Sequence, residues 1–202
     1  NGAGKHTLRY AELALQFDGH ITGAEFGVAY GGGIEAIGKL WGERGTIYGF
    51  DTFTGHPEQI AELCEHSKQH GGKNSFAARC MDQWYRDYGR EAVTLPYIQR
   101  QLETEEVRNV RLIPGIVNSE TALPFQQLHY CFIDFDFPLS QWQAYNLVKE
   151  TVVPGGYLLL HDMIPKGHIP GNYEYYERIK SGRLFKVVEE HPDSFLVVMQ
   201  KP

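Results

Sequence analysis

The chain has 202 residues, enough for one domain with a sizeable core, and its 42% hydrophobic and 22% charged residues describe a globular mixture. A net charge of −6 with no Lys/Arg cluster argues against a duplex-binding surface, so no nucleic-acid partner is expected. No apolar run approaches a membrane span and no signal-peptide pattern opens the chain, so no membrane partner is expected either.

In chain order, "HTLRYAELALQF" places apolar residues at helical spacing and predicts an opening helix. "HITGAEFG" predicts a buried strand, and "GGGIEAIGKLWGERG" a glycine turn running into a helix. "TIYGFD" is a second strand, and "LPYIQRQLETEE" a helix before the third strand, "VRLIPG". "LHYCFIDFD" is a fourth strand, followed by helix "LSQWQAYNLVKETVV". "PGGYLLLHD" is a fifth, followed by helix "GNYEYYERIKSG". "LFKVVEE" and "SFLVVMQ" close the chain around the turn "HPD".

Strands alternating with helices imply a parallel sheet covered on both faces, and near-continuous apolar strands agree. The last two strands are joined too tightly for a crossover and predict an antiparallel hairpin at one edge. The expectation is an α/β fold: one seven-stranded, doubly wound, Rossmann-like sheet making a single domain over residues 1–202. Residues 56–94 break the alternation. They form an insertion rich in His, Tyr, Trp and charge, expected to serve as a lid or an acceptor-binding segment. Trp84, Tyr85 and Tyr88 within it either line a pocket or form one buried helix face. Of the three cysteines, Cys64, Cys80 and Cys131, the spacing fits neither a metal knuckle nor a disulfide framework, and a reducing cytoplasm is the expected compartment. Cys131 lies in an apolar run and reads as a core residue.

"AEFGVAYGGGIE" (residues 23–34) puts an acidic residue, Glu25, inside an apolar strand and four glycines, Gly27, Gly31, Gly32 and Gly33, after it. Ligands of open parallel sheets bind beyond the carboxyl ends of the strands, where this loop lies. A phosphate loop would end in Gly-Lys-Ser/Thr, which is absent, and a dinucleotide loop would read G-x-G-x-x-G, whereas this one reads G-V-A-Y-G-G-G. Glu25, Gly27, Ala29 and Gly31 instead match an acidic-x-Gly-x-Gly-x-Gly loop, with Ala29 at the middle Gly. That loop suits S-adenosylmethionine, whose ammonium and sulfonium favour a nearby acid. Asp51 ends the second strand 24 residues after Gly27, where an acid can accept hydrogen bonds from ribose hydroxyls. Asp51 is equally placed to cap the turn "DTFTG".

The fourth strand ends in Asp134 and Asp136, and the fifth in His161 and Asp162. A carboxylate deep in an apolar strand is costly unless paired or metal-bound. If the two strands are neighbours, Asp134 and Asp162, with His161, can hold one divalent ion. Oxygen ligands suit Mg²⁺, and a His tilts the choice toward Mn²⁺ or Zn²⁺. Asp136 can instead cap the helix that begins near Pro138, and His161 can instead donate hydrogen bonds at the strand end.

"EFGVAYGGG", "YGFDTFTGHP", "LIPGIVNSETALP", "CFIDFDF" and "GGYLLLHDM", in that order, resemble the macrocin O-methyltransferases, a family of the class I S-adenosylmethionine-dependent fold. The resemblance covers residues 20–163. It implies that Gly27 and Gly31 bound the methionine part of the donor, with Glu25 and Val28 as further candidate donor-binding residues. It implies that Asp51 binds the ribose and that Gly115 and Ile116 lie near the adenine, with Phe53 and Asp134 as further candidate donor-binding residues. It implies Asp134 and Asp162 as metal ligands, as in the related catechol O-methyltransferases. His161 stands where the family has an acid, so the metal set is altered. "DFDFPLSQ" lacks the family's Leu-Tyr-x-Ser-Thr, and the 56–94 insertion has no counterpart, so acceptor specificity does not transfer.

The reading that follows is an O-methyltransferase acting on a hydroxyl of a small molecule, a sugar or a natural-product scaffold. Asp134, His161 and His168 (in "PKGHIPG") are its candidate catalytic residues. His168 reads equally as a solvated loop residue. A homo-oligomer is compatible with the chain. The competing readings are a nicotinamide-dependent oxidoreductase on a similar sheet and a non-catalytic donor-binding homologue.

Overall fold

The structure is a computed structural model, and it describes residues 2–54, 89–135, 137–163 and 172–202. Seven strands form one sheet: β1 (Ile21–Phe26), β2 (Gly45–Asp51), β3 (Val110–Pro114), β4 (Leu128–Ile133), β5 (Val152–His161), β6 (Lys186–His191) and β7 (Leu196–Gln200). Their spatial order is β3-β2-β1-β4-β5-β7-β6. The first five run parallel, and β7 lies antiparallel between β5 and β6. The expected edge hairpin is therefore present. Its second strand inserts next to β5, leaving β6 at the edge.

Helices α1 (Gly2–Leu13), α2 (Gly32–Trp41) and α3 (Leu95–Thr104) pack on one face. Their Tyr10, Ala11, Ile34, Ile37, Trp41, Ile98 and Leu102 meet Ile21, Ile47, Tyr130 and Leu159 of the sheet. Helices α4 (Pro138–Val148) and α5 (Asn172–Ser181) cover the other face. There Ala144, Val148, Tyr176 and Ile179 meet Phe26, Cys131, Leu158 and Leu160. Leu158, Leu159 and Leu160 alternate between the two layers, which is why β5 reads as an unbroken apolar run. Cys131 is fully buried, as its apolar neighbours imply.

Local chemistry explains most boundaries. Pro138 and Pro96 sit in the first turns of α4 and α3, where the missing N–H costs nothing. Asn109 donates its side-chain amide to the carbonyls of Gly38, Gly42 and Gly45 at 3.0, 2.8 and 2.9 Å. It ties the end of α2 to the starts of β2 and β3.

Two sequence expectations need correction. The helix anticipated over residues 139–153 ends at Val148, because Thr151 turns the chain with its backbone N–H and hydroxyl both on the Val148 carbonyl, at 2.8 and 2.7 Å. Val152 then pairs with Leu128, so Val152 and Val153 open β5. The strand anticipated over 128–136 ends at Ile133. Asp136, His168, Cys64, Cys80, Trp84, Tyr85 and Tyr88 lie outside the described residues. At the end of the 56–94 insertion, Ala92 and Val93 are buried in a short 3-10 turn leading into α3. Among the described residues no helix is long and apolar enough to cross a membrane.

Candidate functional site

The carboxyl ends of β1, β2, β3 and β4 are pinned together by backbone bonds. Gly27 N–H donates to the Phe50 carbonyl at 2.9 Å, Asp134 N–H to the Phe26 carbonyl at 2.8 Å, and Gly115 N–H to the Asp51 carbonyl at 2.9 Å. The chain leaves β1 at Gly27 with φ +97°, passes Ala29 at +49° and reaches Gly31 at +78°. Ala29, at the middle Gly of the loop pattern, thus adopts a left-handed backbone although it carries a Cβ. Gly31 is the N-cap of α2 and supplies no side-chain cap bond, so the first turn of α2 offers its N–H groups to the mouth of the sheet.

Asp51 organises this loop. Its Oδ2 accepts Val28 N–H at 2.9 Å and Ala29 N–H at 3.1 Å, and its Oδ1 accepts Phe53 N–H at 2.9 Å. The capping role read from "DTFTG" is therefore present, and the same carboxylate also braces the glycine loop. Val28 and Phe53 are buried, packed with Ile34 and Ile98, so they meet the mouth through their backbones. Ile116, beside Gly115 at the exit of β3, is 48% exposed and offers an apolar surface next to Asp51.

Glu25 is 4% exposed and lies against Gly33 in the first turn of α2, where a Cβ would stand 2.9 Å from its Oε1. Its Oε2 has no hydrogen-bond partner among the described residues. Burial, and then the negative charges of Asp134 and Asp51, push its carboxyl well above the ordinary range. That shift favours the neutral carboxyl, and a cation placed beside it would favour the anion.

β4 and β5 are neighbours with Ile133 opposite Leu160, which sets Asp134 beside His161 and Asp162. His161 Nδ1 lies 2.8 Å from Asp134 Oδ1 and 3.4 Å from Asp162 Oδ2. Burial alone would lower the imidazole's pKa, but the two carboxylates outweigh it and hold it at about 11. One ligand atom from each of the three residues lies within 4.8 Å of the others. Asp162 is buried, its Oδ1 has no partner among the described residues, and its backbone is left-handed at φ +58°. Backbone held in that region by a non-glycine residue is a mark of a site over-determined by its surroundings.

The sequence thus anticipated the juxtaposition of the glycine loop, Asp51, Glu25, Asp134, His161 and Asp162. It did not single out Gln141. This fully buried residue of α4 donates its amide to the His161 carbonyl at 2.9 Å. The signal was available: a Gln among Pro138, Ala144, Tyr145 and Val148 on the buried stripe of α4.

No protein-family model and no curated protein matches the chain. Solved structures do. The O-methyltransferase NovP matches with a TM-score of 0.70 at 17% identity, covering 98% of this chain and 79% of NovP. CalS11, a calicheamicin methyltransferase, matches at 0.65 and 18%, covering 98% of this chain and 77% of that one. An rRNA methylase from Streptococcus thermophilus matches at 0.57 and 16%, covering 96% and 94%. With the strand order and the reversed β7, these establish the fold: the chain has the class I S-adenosylmethionine-dependent methyltransferase architecture.

Proposed function

We propose that the protein is an S-adenosylmethionine-dependent O-methyltransferase whose acceptor is a hydroxyl of a small molecule, and that a divalent cation assists it. The observation that carries this reading is the Asp134–His161–Asp162 cluster at the tips of β4 and β5, directly beside the glycine loop and Asp51.

In this reading the donor lies across β1 and β2. The Gly27–Gly31 loop and the start of α2 face its methionine part, Glu25 stands ready to become an anion beside its ammonium, Asp51 takes its ribose, and Gly115 and Ile116 border its adenine. The donor set fits a divalent cation: two carboxylates and an imidazole converge, one carboxylate oxygen is buried without a partner among the described residues, and an imidazole nitrogen widens the choice beyond Mg²⁺ to Mn²⁺ and Zn²⁺. Bound there, the cation would act as a Lewis acid that lowers the acceptor hydroxyl's pKa. Asp134, shared by the donor and metal sides, fixes the distance between methyl and acceptor, and methyl transfer depends on that alignment. As a ligand of the cation His161 would be neutral, with its ring nitrogen committed to the ion and not free to act as base, which leaves His168 as the candidate to take the acceptor's proton.

A nicotinamide oxidoreductase is disfavoured by strand order: the dinucleotide sheet runs 3-2-1-4-5-6, whereas here an antiparallel β7 separates β5 from β6. Calorimetric titration with S-adenosylmethionine and with its demethylated product, with and without Mg²⁺ or Mn²⁺, tests the proposal. Binding of both is expected, with the cation bound at one site per chain. Stabilisation by NAD(H) but not by S-adenosylmethionine would overturn it.

A further inference from the structure

The peptide joining His161 to Asp162 is gripped from both sides. Gln141, fully buried on α4, donates its Nε2 to the His161 carbonyl at 2.9 Å. On the other side Asp162 N–H donates to the carbonyl of Phe195, just ahead of β7, at 2.7 Å. Between these two bonds Asp162 sits at φ +58°, and Phe195 is itself left-handed at +53°. A left-handed backbone is unfavourable for any residue with a Cβ, and the natural escape is a flip of the adjoining peptide plane. That flip would break both bonds at once.

The choice of residue at 141 supports a specific demand at this peptide. The buried stripe of α4 is otherwise filled by Pro138, Ala144, Tyr145 and Val148, and the Gln141 Oε1 has no partner among the described residues. A polar side chain buried with one end unsatisfied costs stability, and Leu or Met would fill the space without that cost. What only a donor does here is hold the His161 carbonyl.

We propose that Gln141 is a positioning residue: by locking the His161–Asp162 peptide it turns the Asp162 carboxylate back toward His161 and Asp134, so that the three present their ligand atoms to one cation. This rests on the metal-site reading above. The bond spans the boundary between helix layer and sheet, so β5's last turn is set by α4 on one side and by the β6–β7 hairpin on the other.

The test uses the full chain with Gln141→Met and Gln141→Leu, which keep the volume but remove the donor. Three quantities are measured: Mn²⁺ affinity by calorimetry, affinity for the demethylated donor product, and the backbone chemical shifts of Asp162 in the metal-free protein. Loss of an orienting partner of a metal ligand typically weakens binding about 10- to 100-fold, so a drop of that order in Mn²⁺ affinity is expected. Product affinity stays unchanged, and the Asp162 shifts move out of the left-handed range. A variant that binds Mn²⁺ like the wild type and keeps left-handed Asp162 shifts overturns the proposal. So does one that loses Mn²⁺ and product affinity in equal proportion, as a purely structural defect would. If the wild type itself takes no Mn²⁺, the metal reading fails separately, and the Asp162 shifts alone decide: unchanged in both variants refutes the lock, displaced supports it.

Discussion

Gly27 and Asp134 touch back to back: a Cβ built on Gly27 would stand 2.2 Å from the Asp134 carbonyl oxygen. The loop that would receive the donor and the strand tip that would carry the metal are therefore one rigid junction. Gly27→Ala would force a side chain into that carbonyl at a residue whose φ is +97°. Backbone strain of this kind costs about 1–3 kcal/mol, and the clash adds to it. The expected result is a lower melting temperature together with weakened binding of both donor product and cation. A variant that loses one ligand and keeps the other intact would show that the two sites are not mechanically joined.

Asp51 gives a second, separable prediction. Both of its carboxylate oxygens accept backbone N–H groups, Oδ2 from Val28 and Ala29 and Oδ1 from Phe53. Asp51→Asn can satisfy only one side, because its NH₂ accepts nothing. Loss of charge-assisted bonds worth about 1.5–3 kcal/mol each should loosen the glycine loop and lower affinity for the demethylated donor by about ten-fold or more. Cation binding at Asp134 and Asp162 should change far less. Calorimetry on the two ligands reads both, and unchanged product affinity would remove Asp51 from the donor site.

Glu25 predicts a pH dependence. Its folded-state pKa lies well above the ordinary value of 4.5, so above that value the folded protein keeps a proton that the unfolded chain has released. Stability of the ligand-free protein therefore falls as pH rises from about 4.5 through the folded pKa. Glu25→Gln removes this fall. The variant should be the more stable of the two in denaturant at pH 8 and should gain less from S-adenosylmethionine, having no carboxylate to set beside the ammonium. Parallel stability–pH curves for the two proteins would refute the assignment.

The layout of the sheet was legible because its signals are local. Apolar runs, glycine turns and the tight "HPD" link follow from backbone rules that act over a few residues. The same rules misplaced the end of α4, where Thr151 stops the helix and a β-branched run belongs to the next strand. The site was half legible. Asp134, His161 and Asp162 stood out as polar groups ending apolar strands. The left-handed turn at Asp162 did not, since an Asp after a His carries no mark of φ. Nor did the grip of Gln141, which depends on α4 lying under the end of β5. A bond between residues 20 positions apart is set by packing and is not written in spacing.

His161 yields the last prediction. In the resembled family an acid occupies its position, and here an imidazole lies between two carboxylates, 2.8 Å from Asp134 and 3.4 Å from Asp162. His161→Asp would place a third carboxylate where a cationic ring now separates two. Without a cation, like charges at such distances repel, and the variant should melt lower in chelator. With Mg²⁺ the order should reverse, because three oxygens suit that ion better than two oxygens and a nitrogen, and Zn²⁺ should lose its advantage. One kcal/mol of differential stability moves the melting temperature of a chain this size by about 2–4 °C, well within thermal-shift resolution. The diagnostic is the crossing: wild type above variant in chelator, and a larger Mg²⁺-induced rise in the variant. If Mg²⁺ moves neither protein, the residues at the tips of β4 and β5 form an ion pair that orders the sheet mouth, and the acceptor must be activated by a side chain alone.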